Sequence, residues 1–157
     1  GRLAGDTRTR SVGPAGAPPE FILAHEPREQ TRALSRVLHR LIREQGVAPG
    51  TIAVLTSSRR AVPELVEDGR IGAFEVTIEH DADDDRVLVE SVTRFKGLER
   101  DVVILVRLDP VSYCEYAPML YVGASRARAM LVVIGDEDVL RRFRPAGEAT
   151  GAAPPAR

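Results

Sequence analysis

Four apolar runs restrict what this chain can fold into. They are Ile52-Ala53-Val54-Leu55, the stretch from Val87 to Val92, Val102-Val103-Ile104-Leu105-Val106, and Leu131-Val132-Val133-Ile134. Each is short, rich in β-branched residues, and continuous where a half-exposed strand would alternate. A strand of that kind needs cover on both faces, and in a covered sheet helices supply it. The stretches between the runs meet that need. Leu34, Val37, Leu38, Leu41 and Ile42 repeat at helical spacing, with Arg32, Arg36, His39, Arg40 and Arg43 filling the other positions. The expected fold class is therefore α/β with a mostly parallel sheet.

Placed in order, the elements begin with a short strand, Phe21–Ala24. A helix follows from about Pro27, which suits a first turn, to Gln45, with Gly46 at its end. Next come strand Ile52–Leu55 and a helix capped by Ser57 or Ser58 that runs to about Asp68. Strand Phe74–Ile78 precedes the strands from Val87 and Val102. A helix is expected from about Glu115 to Ala129, then strand Leu131–Ile134 and a closing helix Asp136–Phe143.

The ends are different. Residues 1–19 and 145–157 are rich in Gly, Ala, Pro and Arg and have no apolar period, so they read as flexible tails around a folded segment, 20–144. The 157 residues suit one domain, and 43% hydrophobic content can build its core. A net charge of −1 gives no global field for nucleic acid, so any such contact has to come from local arginines. The single cysteine, Cys114, rules out an internal disulfide and fits a reducing cytoplasm. No run reaches the ~18 apolar residues of a membrane span, and the first residues show no secretory leader.

Two charged segments interrupt the apolar pattern. Arg94-Phe95-Lys96-Gly97-Leu98-Glu99 lies between two strands and contains the chain's only lysine. Gly97 lets the backbone approach a ligand, Lys96 suits phosphate, and Glu99 can accept from ribose hydroxyls. On spacing alone, a polar turn accounts for these residues as simply. Gly123-Ala124-Ser125-Arg126-Ala127-Arg128 is the second segment. Its arginines would serve equally as favourable charges at a helix end.

Taken together they say more. The stretch from Ser91 to Glu99, followed by Val102-Val103-Ile104-Leu105, resembles motif V of superfamily I helicases of the UvrD/Rep kind. Leu120-Tyr121-Val122-Gly123-Ala124-Ser125-Arg126-Ala127-Arg128, followed by Leu131-Val132-Val133-Ile134-Gly135, resembles their motif VI, in the same order and at a similar separation. Ile52 to Arg59 is similar to the strand and loop that precede motif V. The resemblance covers about Phe21 to Phe143. It implies the second, C-terminal RecA-like domain of such a motor, a three-layer domain of the P-loop NTPase type in compact form.

In that family ATP binds with Mg²⁺ between two domains. By position, Arg126 would be the catalytic arginine that reaches the γ-phosphate. Gly97 and Glu99 would join it around the nucleotide. Thr93, Arg94, Lys96, Ser57 and Arg59 would face single-stranded DNA. Where the family often has Thr-x-His, this chain has Ser91-Val92-Thr93, so any role particular to an imidazole is not carried over.

No Gly-x-x-x-x-Gly-Lys-Ser/Thr occurs, and no Asp-Glu pair ends an apolar strand. The resemblance therefore implies a partner, an N-terminal P-loop domain in the same or a separate chain, and no ATP hydrolysis by this chain alone. Asp81 to Asp85 lacks the glycine and glutamate of a calcium loop and reads as a solvated acidic turn. His25, His39, His80 and Cys114 have no zinc spacing, so no resident metal is expected. Two other readings stand beside the motor domain. One is a non-catalytic nucleic-acid- or protein-binding remnant of a helicase. The other is a flavodoxin-like regulator, which would want a glycine-rich phosphate loop after the first strand.

Overall fold

In a computed structural model, residues 18–79, 85–95, 98–108 and 127–143 are described. Seven strands form one sheet: β1 (Glu20–Leu23), β2 (Ile52–Thr56), β3 (Arg70–Ile71), β4 (Phe74–Thr77), β5 (Val87–Ser91), β6 (Arg100–Leu105) and β7 (Ala127–Gly135). Their order across the sheet is β1-β7-β6-β2-β5-β4-β3. Every pairing is parallel except the β3–β4 hairpin.

The continuous apolar runs do what their pattern requires. Every residue of β2 and of β5 is buried. Ile52, Val54, Val87, Val89, Val102, Ile104, Val132 and Ile134 face one core, which Ala33, Leu34, Val37, Leu38 and Leu41 cover. Ala53, Leu55, Leu88, Val103, Leu105, Leu131 and Val133 face a second core, covered by Phe95, Leu108, Val139, Leu140 and Phe143. Alternate residues of one strand thus point to opposite layers, and the domain has three layers.

Helix α1 (Pro27–Leu38) begins with Pro27 in its first turn. Glu29 accepts the backbone N–H of His25 at 2.8 Å and of Glu26 at 3.3 Å. Those two bonds hold its carboxyl below the ordinary value. The expected helix to Gln45 is present, but its last six residues, His39–Glu44, widen into a π-helical turn. In that turn Arg40 grips Glu20 of β1 through two bonds of 2.9 and 2.6 Å, and this carboxylate raises the pKa of Arg40. Gly46 follows with φ of 72°, where glycine is favoured.

Three expectations need correction. The helix foreseen up to Asp68 is only a 3₁₀ turn, Arg59–Ala61, and one α-turn, α2 (Val62–Leu65). It stops because Asp68 and Gly69 both take positive φ and make a two-residue hairpin turn, from which β3 starts. Ser58 is the residue before that turn but makes no side-chain cap. Last, the helix drawn to Ala129 has no helical end. Ala127, Arg128 and Ala129 belong to β7: Ala127 pairs with Arg100 of β6, and the register shifts before Met130 meets Val102. The closing helix, α3 (Glu137–Phe143), is capped by Asp136, which accepts the Val139 N–H at 2.9 Å.

Two predictions test this packing. Leu34 is fully buried, so Leu34→Ala should cost about 2–5 kcal/mol in urea unfolding. Glu29 has a lowered folded pKa, so its contribution is present above the unfolded value and disappears as pH falls through the folded one. The stability gap between wild type and Glu29→Gln should therefore close as pH falls below the ordinary carboxylate range.

Candidate functional site

A parallel sheet has two unlike edges, and the charged residues divide between them. The carboxyl ends of β1, β7, β6 and β2 lie side by side. Beyond them is a cavity of about 330 Å³ lined by His25, Gln30, Ser57, Ser58, Arg60 and Arg107, among others. Gln30 organises its floor. This side chain is buried, donates to the carbonyls of Ala24 and His25 at 3.3 Å each, and accepts the Arg107 N–H at 2.9 Å. Ser57 donates to the Arg107 carbonyl at 3.2 Å. Arg107 sits at φ of 56°, a conformation that non-glycine residues enter only when their surroundings hold them there. Its guanidinium pairs with Glu64.

Next along the same edge, β2 and β5 end in matching turns. Thr56 pairs with Ser91 in the ladder. Arg59 stands three residues beyond Thr56 and Arg94 three beyond Ser91. Each lies in a 3₁₀ turn. Glu90 lies beneath them. Its Oε2 is 3.9 Å from Arg59 Nε and 3.4 Å from Arg94 Nε, and accepts the Ser91 N–H at 3.0 Å. The Glu90 side chain is 4% exposed, those of Arg59 and Arg94 65% and 50%.

The opposite, amino edge carries a second group. Arg100 of β6 pairs with Ala127 of β7. Arg128 donates to Asp101 at 2.9 Å, and its guanidinium reaches to 3.9 Å from Glu99. All three side chains are exposed.

The described members of the two expected groups lie at different edges. Ser57, Arg59, Thr93 and Arg94 lie at the carboxyl edge, and Glu99 at the amino edge. Strands of five or six residues separate these edges by roughly 17–20 Å. The chain from Val92 to Arg100 crosses the sheet, so a segment that follows one strand's carboxyl end finishes at the next strand's start. Ser57 is buried and bonded inside the fold, whereas Thr93 is exposed. Lys96, Gly97 and Arg126 lie outside the described residues, as do Asp109, Cys114 and residues 80–84 of the acidic loop.

Glu90 was not foreseen as a site residue. Its signal is a carboxylate inside a run that otherwise reads as a fully buried strand. Among the described residues no group of three or more His, Cys, Asp or Glu could hold a metal ion, and no helix is long and apolar enough to cross a membrane.

With this geometry in place, comparison with known proteins is informative. Residues 86–134, from the start of β5 to the end of β7, match the UvrD-like helicase C-terminal domain. Over these residues the chain is similar to a UvrD-like helicase C-terminal domain. The match spans both charged segments and the β6–β7 pairing between them. Among solved structures, the chain is similar to the C-terminal domain of a possible DNA helicase from Lactobacillus plantarum WCFS1. The TM-score is 0.64 at 20% identity, over 82% of this chain and 81% of that one. At that identity the likeness is one of fold, and the fold is the RecA-like α/β domain of helicase C-terminal regions. No curated protein matches the chain.

The Gln30 staple yields a prediction. Gln30→Leu fills similar volume but leaves the Arg107 N–H without its acceptor. It should cost about 1–3 kcal/mol in equilibrium unfolding, and hydrogen exchange at the Arg107 amide should accelerate.

Proposed function

We propose that this chain is the C-terminal motor domain of an ATP-dependent DNA helicase or translocase. It would act with an N-terminal P-loop domain in the same or another chain. The observation that carries this reading is the Arg100–Ala127 pairing. Glu99 immediately precedes Arg100 and stands at the amino edge, and in sequence Arg126 immediately precedes Ala127. This supports a reading in which a ribose-accepting carboxylate and an arginine for the γ-phosphate would serve one nucleotide.

Glu99 fits the nucleotide role in chemistry and placement. It is half exposed and already faces a cation, Arg128, at 3.9 Å. In the proposed site it accepts from a ribose hydroxyl, while Gly97 lets the backbone pass close. ATP with Mg²⁺ belongs to the assembled pair of domains. The partner supplies the phosphate loop and the carboxylates for the metal, and this chain supplies positive charge. Arg126 meets the charge that develops on the transferred phosphoryl group. An arginine in that role is typically worth about 10³–10⁵ in rate. At the other edge, Arg59 and Arg94, with Thr93 and the Ser57 loop, hold the backbone of a single DNA strand, and Lys96 is assigned to the same role by sequence alone. Nucleotide and strand would then contact opposite ends of the same strands.

The test is to restore a P-loop helicase domain by fusion and measure DNA-stimulated ATPase activity. The isolated chain is expected to show none. The fusion should turn over ATP, with Arg126→Ala reducing kcat by about 10³-fold or more, and Glu99→Ala mainly raising KM for ATP. Full activity in the Arg126→Ala fusion would remove that residue from catalysis. Strand binding without recovered ATPase activity would instead favour a non-catalytic remnant of a helicase.

A further inference from the structure

Among the described residues, Glu90 is the one buried carboxylate. The fold does not need it there. Its neighbours across the ladder and along its own face, Leu55 and Leu88, are aliphatic, and an aliphatic residue would continue the core at no desolvation cost. A carboxylate held out of water requires compensating partners. The partners here are Arg59 and Arg94, one from each of two adjacent strand ends.

We propose that Glu90 is a positioning residue, which holds Arg59 and Arg94 as a two-armed clamp for the phosphates of a single nucleic-acid strand. The inference rests on the reading of the carboxyl edge as the strand-binding surface. Three features carry it. The arginines occupy equivalent places, three residues beyond the paired Thr56 and Ser91, so the clamp is built into the ladder register. Both are approached by the same oxygen, Glu90 Oε2, at Nε, while the two arginine side chains stay 65% and 50% exposed. Finally, among the described residues two arginines share the one carboxylate, so positive charge is in excess there. That excess keeps the attraction for phosphate, while the carboxylate removes the repulsion that would drive the arginines apart. Ordering them beforehand spares the rotamer entropy otherwise lost on binding.

Anisotropy of a labelled oligothymidylate, titrated over a salt series, tests the clamp. Arg59→Ala and Arg94→Ala should each weaken binding and each reduce the slope of log K against log salt by about 0.7. Glu90→Gln decides the sign. It deletes a negative charge near the phosphates, so simple attraction demands tighter binding. Positioning demands weaker binding, by about tenfold, since two arginines then order only on binding. The loss should vanish when Glu90→Gln is made in the Arg59→Ala/Arg94→Ala background, and Glu90→Asp should recover part of it.

Tighter or unchanged binding by Glu90→Gln, with both arginine variants weakened, overturns the positioning role and leaves the strand-binding surface standing. Failure of the wild type to bind, or arginine variants that bind like wild type, overturns the surface and the clamp together. A readout without DNA is the exchange of the arginine Nε protons by NMR. Those of Arg59 and Arg94 should exchange more slowly than that of the exposed Arg36 and speed up in Glu90→Gln. Should that variant fail to fold, the wild-type spectrum is sufficient, because exchange as fast as that of Arg36 overturns the clamp.

Discussion

Strand β2 is the member on which the other parts depend. All five of its residues are buried, and it pairs in parallel with β5 on one side and β6 on the other. A one-residue slip in either ladder would turn the aliphatic residues of a whole strand toward the wrong layer. Burial on both faces therefore fixes the register tightly. The register in turn decides which loop residues meet. Leu55 opposite Glu90 and Thr56 opposite Ser91 bring Arg59 and Arg94 over one carboxylate. Leu55 opposite Leu105 on the other side sets Ser57 against the Arg107 carbonyl. The charged edge is laid out by hydrophobic packing several ångströms below it.

Electrostatics at the surface then act within that frame. The exposed pairs, such as Arg128 with Asp101, contribute little to stability in isolation. Their effect is to hold side chains in place and to leave groups poised for exchange. Arg128 bonds Asp101 at 2.9 Å and stands 3.9 Å from Glu99. Glu90 differs in being buried. Removing one of its partners leaves charge out of water, so its contacts are less dispensable than those at the amino edge.

Much of the architecture was legible in sequence because burial on both faces leaves a continuous apolar signature. The four runs are strands, and the repeat from Leu34 to Leu41 is the covering face of α1. Legibility failed where local preference competed with pairing. Ala127-Arg128-Ala129 favours helix by composition yet forms the start of β7, where Ala127 pairs with Arg100 of β6 ahead of a register shift. The Asp68-Gly69 turn was readable as a hairpin signal but was absorbed into a supposed helix. The charged segments on both sides of β6 fall within residues 86–134, the region that matches the family. What could not be read was that Thr93 and Glu99, six residues apart, lie at opposite edges.

The sequence by itself determined the layer scheme, because the period of apolar residues reflects local geometry and every strand carries its own. It also determined which short segments bear charge. Only the tertiary structure decided how those charges are grouped, since grouping depends on strand order and register, and these arise from contacts between residues distant in the chain. Glu90 is the clearest case. In the sequence it is a single acidic residue in an apolar run, thirty-one positions after Arg59. The ladder between β2 and β5 makes it the shared partner of two arginines, because packing both faces of β2 leaves that carboxylate no other place to be.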